Sequence, residues 1–318
     1  MVTLTDDLVT QYGALARGCG LLDRSERGKL ALTGPGAKEF LAGQVTNDIV
    51  GLEQGRGCYA AFLTPKGKML GDLRVLDAGD ELLLDTDRPT LQALFDMIRR
   101  FKIGYDVALH KRTLQSGLLS LVGPGARRIA GAEDLPADEY SHRTGTIGGR
   151  DVRLIATDTG VDVLCDATDT EAVRAALLQT GAEPVSEEAA EILRVERGRP
   201  RYGAELDDST IPQEAGLNER AVSFTKGCYV GQETVARLFY RGKPNRHLRG
   251  LRLSEPAPAG AELRLGERVV GSLASSLVSP AYGPIALALV RREAAIGDTL
   301  DVEGGASAEV VELPFAAA

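Results

Sequence analysis

The chain has 318 residues, 43% apolar and 26% charged, with a formal net charge of −8. That length allows two or three domains with separate cores, and the acidic balance argues against direct nucleic-acid binding. No run of about 18 apolar residues occurs, so no membrane span is expected, and the opening MVTLTDDLVTQ lacks the basic residues of a secretory or transit peptide, which makes the cytoplasm the expected compartment. In chain order, ALTGPGAKEFLAG (residues 31–43) and SLVGPGARRIAGA (residues 120–132) each read as strand, Gly-Pro-Gly turn and helix, with Pro35 and Pro124 at the helix start, where a missing N–H costs nothing. The pair predicts two related α/β subdomains.

Between the two repeats, residues 58–86 read as three short strands broken at Pro65-Lys66-Gly67 and Ala78-Gly79-Asp80. Residues 90–102 then place Leu91, Leu94, Phe95, Ile98 and Phe101 on one helical face, as core. Residues 151–165 and 171–180 repeat the strand-then-helix order. Ser186 is placed to cap a helix with Glu187 and Glu188 in its first turn, running to about Arg197 and stopping at Gly198 and Pro200. After Pro244 the texture changes to short β-type runs split by Gly and Pro, which predicts a small antiparallel barrel or sandwich. The expected domains are 1–112, 113–243 and 244–318.

The densest chemistry lies in KGCYVGQETVAR (residues 226–237). Lys226 stands two residues before Cys228, where a nearby ammonium favours a thiolate, and the flanking Gly227 and Gly231 let the backbone bend or approach a ligand. Gln232 and Glu233 supply an amide and a carboxylate suited to a heterocycle's donor and acceptor edge. Read without further context, a lone cysteine is more often a small buried apolar side chain. Cys19, Cys58, Cys165 and Cys228 form no CxxC pair and His110, His142 and His247 are scattered, so neither a disulfide framework nor a built-in metal site is expected. From Thr234 to Ser254 there is no acid, while Arg237, Arg241, Lys243, Arg246, Arg249 and Arg252 are all present, a cluster that either holds an anion or forms a solvated basic face.

KGCYVGQE (residues 226–233) resembles the signature octapeptide of YgfZ-type folate-binding proteins, paralogues of the glycine-cleavage T-protein, an aminomethyltransferase. IPQEAGLNERAVSFT (residues 211–225), LRVERGRPRYGAEL (residues 193–206), LAGQVTNDI (residues 41–49) and the C-terminal series resemble the same family, so the likeness covers nearly the whole chain. It implies an α+β fold in which three domains form a ring around a central folate cavity, with two related α/β subdomains and a C-terminal antiparallel β-barrel. It also implies tetrahydrofolate or a one-carbon derivative as cofactor, and a role in maturation or repair of iron–sulfur enzymes, including those that modify tRNA. One departure stands out: T-proteins carry an Asp-Asp pair in GG-x-x-DD-L, whereas GKMLGDL (residues 67–73) has Gly71 in the first position and keeps only Asp72. Aminomethyl transfer needs a placed carboxylate for its proton chemistry, so this loss weakens the transferase reading.

The resemblance assigns Cys228 as the functional thiol, with Lys226 holding it as thiolate and Asp72 polarising a folate nitrogen. Asn47, Asp72, Glu196, Tyr229, Gln232, Glu233 and Arg237 are the expected folate contacts: Glu196 for the pterin's N–H donors, Tyr229 for stacking, and Arg237 with the basic stretch after it for the glutamate tail. Competing roles are a turn or cap for Asn47, a core position for Tyr229 and a loop-end carboxylate for Asp72. Arg194 and Glu196, two positions apart on one helix, face different ways, one toward folate and the other bridging domains. The expected partners are folate and iron–sulfur client enzymes. Three functions remain open at this point: a folate-dependent accessory factor, an aminomethyltransferase or other one-carbon transferase, and a non-catalytic folate-sensing scaffold.

Overall fold

The computed structural model describes residues 4–316. The two Gly-Pro-Gly repeats fold alike. Strand Gly28–Thr33 leads into helix Ala37–Ala42, and strand Ser116–Val122 into helix Ala126–Ile129. Each proline sits one residue before the N-cap glycine (Gly36 or Gly125), so it shapes the turn rather than occupying the first helical position. The turns are tight because backbone crosses them. The Gly36 N–H donates to Asp106 O at 3.2 Å and the Gly125 N–H to Gly18 O at 2.9 Å, and a Cβ on Gly34 or Gly123 would lie 2.4 or 2.6 Å from those same carbonyls.

The likeness continues past the turns. Strands Gly57–Leu63, Met69–Asp77 and Leu82–Thr86 follow the first, then helix Leu91–Phe101. Strands His142–Ile147, Arg150–Thr157 and Gly160–Asp166 follow the second, then helix Thr170–Gln179. In both sheets the third strand of this meander returns beside the repeat strand. The first sheet has five strands and closes with Ala108–Lys111. The second has six, and there Gly20–Asp23, from the N-terminal end of the chain, takes the corresponding place. The second sheet therefore draws on sequence from both sides of residue 112. On helix Leu91–Phe101, Leu94 and Ile98 are buried as expected, but Phe101 is 45% exposed because it lies in the last turn, beyond the sheet.

Ser186 caps helix Glu187–Glu196, its Oγ accepting from the Ala189 N–H at 3.3 Å. This helix lies between the N-terminal helix and the C-terminal domain. Ala189, Ile192 and Val195 pack with Leu8 and Leu15 of helix Asp6–Arg17 and with Leu277, Ile285 and Leu287 of the C-terminal domain. That domain is a seven-stranded antiparallel sheet over residues 246–311, with a closed core of small and branched side chains such as Leu251, Ala286, Val290 and Val310. Strand alternation sends Ala286, Ala288 and Val290 into this core and Ile285 and Leu287 to the opposite face, against helix Glu187–Glu196.

Candidate functional site

A cavity of about 650 Å³ opens where the two α/β sheets meet helix Glu187–Glu196 and the loop after it. Its walls follow from strand alternation. In MLGDLRVLD, Leu73 and Val75 enter the core of the first subdomain, which turns Asp72 and Arg74 to the opposite face. In GVDVLCD, Val161 and Val163 likewise enter the second core and Asp162 faces the cavity. Arg74 forms ion pairs with both Asp85, its cross-strand partner, and Asp162 of the other sheet. Burial opposes the Arg74 charge, yet Asp85 and Asp162 outweigh it and hold the guanidinium above its ordinary range. One buried cation thus fastens the two sheets to each other.

Asp72 is 8% exposed and lines the cavity. Tyr59, on the neighbouring strand, donates from its hydroxyl to Asp72 Oδ2 at 2.5 Å. Burial pushes the Asp72 carboxyl up to about 6, against the opposing pull of that hydrogen bond. Burial, then Asp72, raises the Tyr59 hydroxyl well above the tyrosine range, so it stays a donor. The Arg220 guanidinium lies 5.1 Å over the Tyr59 ring, pairs with Glu139 and donates to Tyr140 Oη at 3.2 Å. Tyr140 holds a left-handed backbone, φ 67°, which a tyrosine adopts only under the constraint of its surroundings.

Among the cavity's arginines, most are already paired with carboxylates. Arg88 and Arg197 are exposed at its edge and make no ion pair among the described residues. The cavity therefore offers a carboxyl raised to about 6, three tyrosines (Tyr59, Tyr140 and Tyr202) and two cations without a carboxylate partner, of which Arg197 donates to Asp158 O at 2.7 Å. Its size is that of a small-molecule site.

Of the seven expected folate contacts, Asp72 alone lines this cavity. Asn47 stands behind it: its Nδ2 donates to Tyr59 O at 2.8 Å and Arg220 O at 3.2 Å, so it positions two cavity residues through their backbone. Glu196 is the domain bridge and Arg194 the cavity residue. The Glu196 carboxylate accepts from Tyr12 Oη at 3.1 Å and Ser279 Oγ at 2.5 Å, tying the N-terminal helix to the barrel, while Arg194 lines the cavity and pairs with Glu191 and Glu205.

The octapeptide lies elsewhere. Lys226 does not hold the Cys228 thiol: its Nζ donates to Ala42 O and, at 2.7 Å, to Val45 O, with the Tyr229 ring 4.8 Å away. Burial lowers this ammonium to about 8, with Asp48 and Cys58 opposing the shift. Tyr229 is 7% exposed in a core with Leu63, Met69 and Val235 and does not line the cavity, so the core role and not stacking is the one the structure gives it. Gln232, Glu233 and Arg237 belong to helix Gln232–Arg241, and none of them lines the cavity. Cys228 is exposed, whereas Cys19 and Cys165 are buried.

Tyr59, Arg74, Tyr140, Asp162 and Arg220 escaped the sequence reading. A usable signal was present for two of them. Charged residues alternate with leucine and valine in DLRVLD and VDVLC, which marks a polar face on an otherwise core strand. Among the described residues no group of His, Cys, Asp and Glu is arranged to hold a metal ion, and no helix is long and apolar enough to cross a membrane.

The GCVT N-terminal domain family matches residues 4–226, and the glycine cleavage T-protein C-terminal barrel domain family matches residues 246–316. The "Putative transferase At1g60990, chloroplastic" of Arabidopsis thaliana is 30% identical, covering 96% of this chain and 73% of that protein. The aminomethyltransferase of Thermotoga petrophila is also 30% identical, over 95% of this chain and 87% of its own length. The glycine cleavage system aminomethyltransferase T from Bartonella henselae has the same fold, with a TM-score of 0.87 at 24% identity over 97% of this chain and 89% of its own. With both of its domain families matched along one chain, this protein belongs to the glycine-cleavage T-protein family of aminomethyltransferase-like proteins.

Proposed function

We propose that this protein is a tetrahydrofolate-binding accessory factor of the YgfZ type, with folate in the central cavity beside Tyr59 and Asp72 and with Cys228 acting from the outer surface on iron–sulfur enzymes. The observation that carries this reading is a division of labour. A buried carboxyl that titrates near neutrality faces a ligand-sized cavity, while the octapeptide thiol is exposed away from it, where a large client has access. Arg88 and Arg197 suit the carboxylates of a folate glutamate tail. A bound reduced folate would supply the nitrogens that carry a one-carbon unit. The chain's own part is narrower. Tyr59 fixes Asp72 Oδ2, Arg74 and Arg220 hold the walls together, and Asp72 gives or takes a proton near pH 6.

A second reading, aminomethyl or other one-carbon transfer, is favoured by the placement of Asp72 in the cavity and by the relatives' activity. It ranks lower because Gly71 leaves a single carboxylate where the T-protein motif has two. Cells lacking the protein, complemented with Cys228→Ser, separate the two. The accessory reading expects loss of iron–sulfur enzyme activity with folate affinity intact. Full rescue by Cys228→Ser, together with ammonia release from an aminomethyl-lipoyl carrier protein by the purified chain, would establish the transferase instead.

A further inference from the structure

Helix Gln232–Arg241 buries Val235 against the first subdomain and leaves Phe239 and Tyr240 47% and 66% exposed. These rings are not stray surface residues. Phe224, four positions before Cys228, stacks on Phe239 at a centroid distance of 3.7 Å, and Tyr240 meets Phe239 edge-on at 5.0 Å and 83°. The aromatic cluster therefore joins the loop carrying Cys228 to the helix. Arg237, Arg241 and Lys243 are exposed around it and form no ion pair among the described residues. The Pro65-Lys66-Gly67 turn packs against Thr234 and adds exposed Lys66, while Glu233 is the acid on the same helix. On a chain of net charge −8, this is a locally basic, aromatic face.

We propose that this face docks an acidic segment of a partner protein, which seats an apolar side chain against Phe239 and Tyr240 and pairs its carboxylates with Arg241 and Lys243. Aromatic anchors ringed by arginine are the composition of protein-binding hot spots. Charge complementarity selects an acidic partner and speeds its encounter. Nucleic acid fits less well. Phe224 and Phe239 cover each other's faces and Tyr240 stands at right angles to them, so no row of free parallel rings is offered for bases to stack on. The proposal extends the client-facing role given above to the Cys228 loop, but it rests on a surface remote from the folate cavity and can fail without affecting the folate assignment.

The test is fluorescence anisotropy with a labelled peptide of alternating glutamate and leucine. Its lysine counterpart, single-stranded oligouridine and vesicles of phosphatidylglycerol are measured in parallel against wild type, Tyr240→Ser and Arg241→Glu, with melting curves confirming that each variant is folded. The expected result is binding of the acidic peptide that weakens by at least about tenfold in either variant and falls with added salt. Equal affinity for both folded variants, failure of the acidic peptide to bind, or tighter binding of RNA or vesicles would overturn it. So would a salt-sensitive dimer of this chain that Arg241→Glu abolishes, because it would assign the face to a second copy.

Discussion

Tyr59 and Asp72 sit on adjacent antiparallel strands, and the tyrosine hydroxyl donates to Asp72 Oδ2 at 2.5 Å inside the central cavity. The bond stabilises the carboxylate, yet burial prevails and the group is held up at about 6. A carboxyl whose folded value exceeds its ordinary 3.8 binds its proton more tightly in the native state, so its stabilising effect is complete below about pH 4 and is lost as pH rises through 6. Asp72→Asn should therefore match wild type in urea denaturation at pH 4 and exceed its stability at pH 8 by about 2–3 kcal/mol. Equal stability at both values would show that the carboxyl is not desolvated.

Arg74 serves both sheets at once. Removing it in Arg74→Met leaves Asp162 with no ion-pair partner among the described residues, and leaves Asp85 with Arg27 alone. Loss of one member of a buried ionic group costs about 3–5 kcal/mol. Denaturation at neutral pH should show a loss of that size, and the loss should shrink as the acids protonate.

Gly71 does more than omit a carboxylate. A Cβ there would lie 2.6 Å from the Phe62 ring and 2.9 Å from Thr90 Cβ, with both side chains buried. Gly71→Asp, which restores the T-protein's Asp-Asp sequence, should therefore destabilise the chain by at least about 2 kcal/mol through overpacking and an added buried charge. It should not produce aminomethyl transfer. A stable and active variant would contradict both the overpacking at Gly71 and the accessory reading.

Cysteine accessibility gives a direct readout of the octapeptide. Cys228 is exposed, Cys19 and Cys165 are buried, and burial pushes the half-buried Cys58 thiol up to about 12. Brief alkylation with iodoacetamide at pH 7.5 should add one group per chain, at Cys228, as read by intact and peptide mass. Lys226→Ala should leave the rate within about twofold, because that ammonium is bonded to the carbonyls of Ala42 and Val45.

The elements and the repeat were legible because each depends on local signals: the two Gly-Pro-Gly turns, the capping Ser186 and the change of texture after Pro244. The site was legible only where a family motif names a position, as at Asp72. Arg74 and Asp162 meet across two sheets, and no spacing in the chain encodes that meeting. Glu196 and Arg194 share one helix, and their opposite facing was foreseen. The sequence reading puts Glu196 toward the ligand, and the fold reverses this, because Tyr12 and Ser279, distant in sequence, reach the Glu196 carboxylate and Arg194 lines the cavity. The octapeptide misled for a related reason. Sequence neighbours such as Lys226 and Cys228 suggest a chemical pair, but the fold sends the lysine inward and leaves the thiol outside.

The most direct test is calorimetric titration of tetrahydrofolate into wild type, Cys228→Ser and Asp72→Asn. Expected are one site in wild type, unchanged affinity in Cys228→Ser and binding weakened by about tenfold in Asp72→Asn, the loss of one buried charge-assisted hydrogen bond. No binding by wild type, or binding that depends on Cys228 and not on Asp72, would contradict the placement of folate in this cavity.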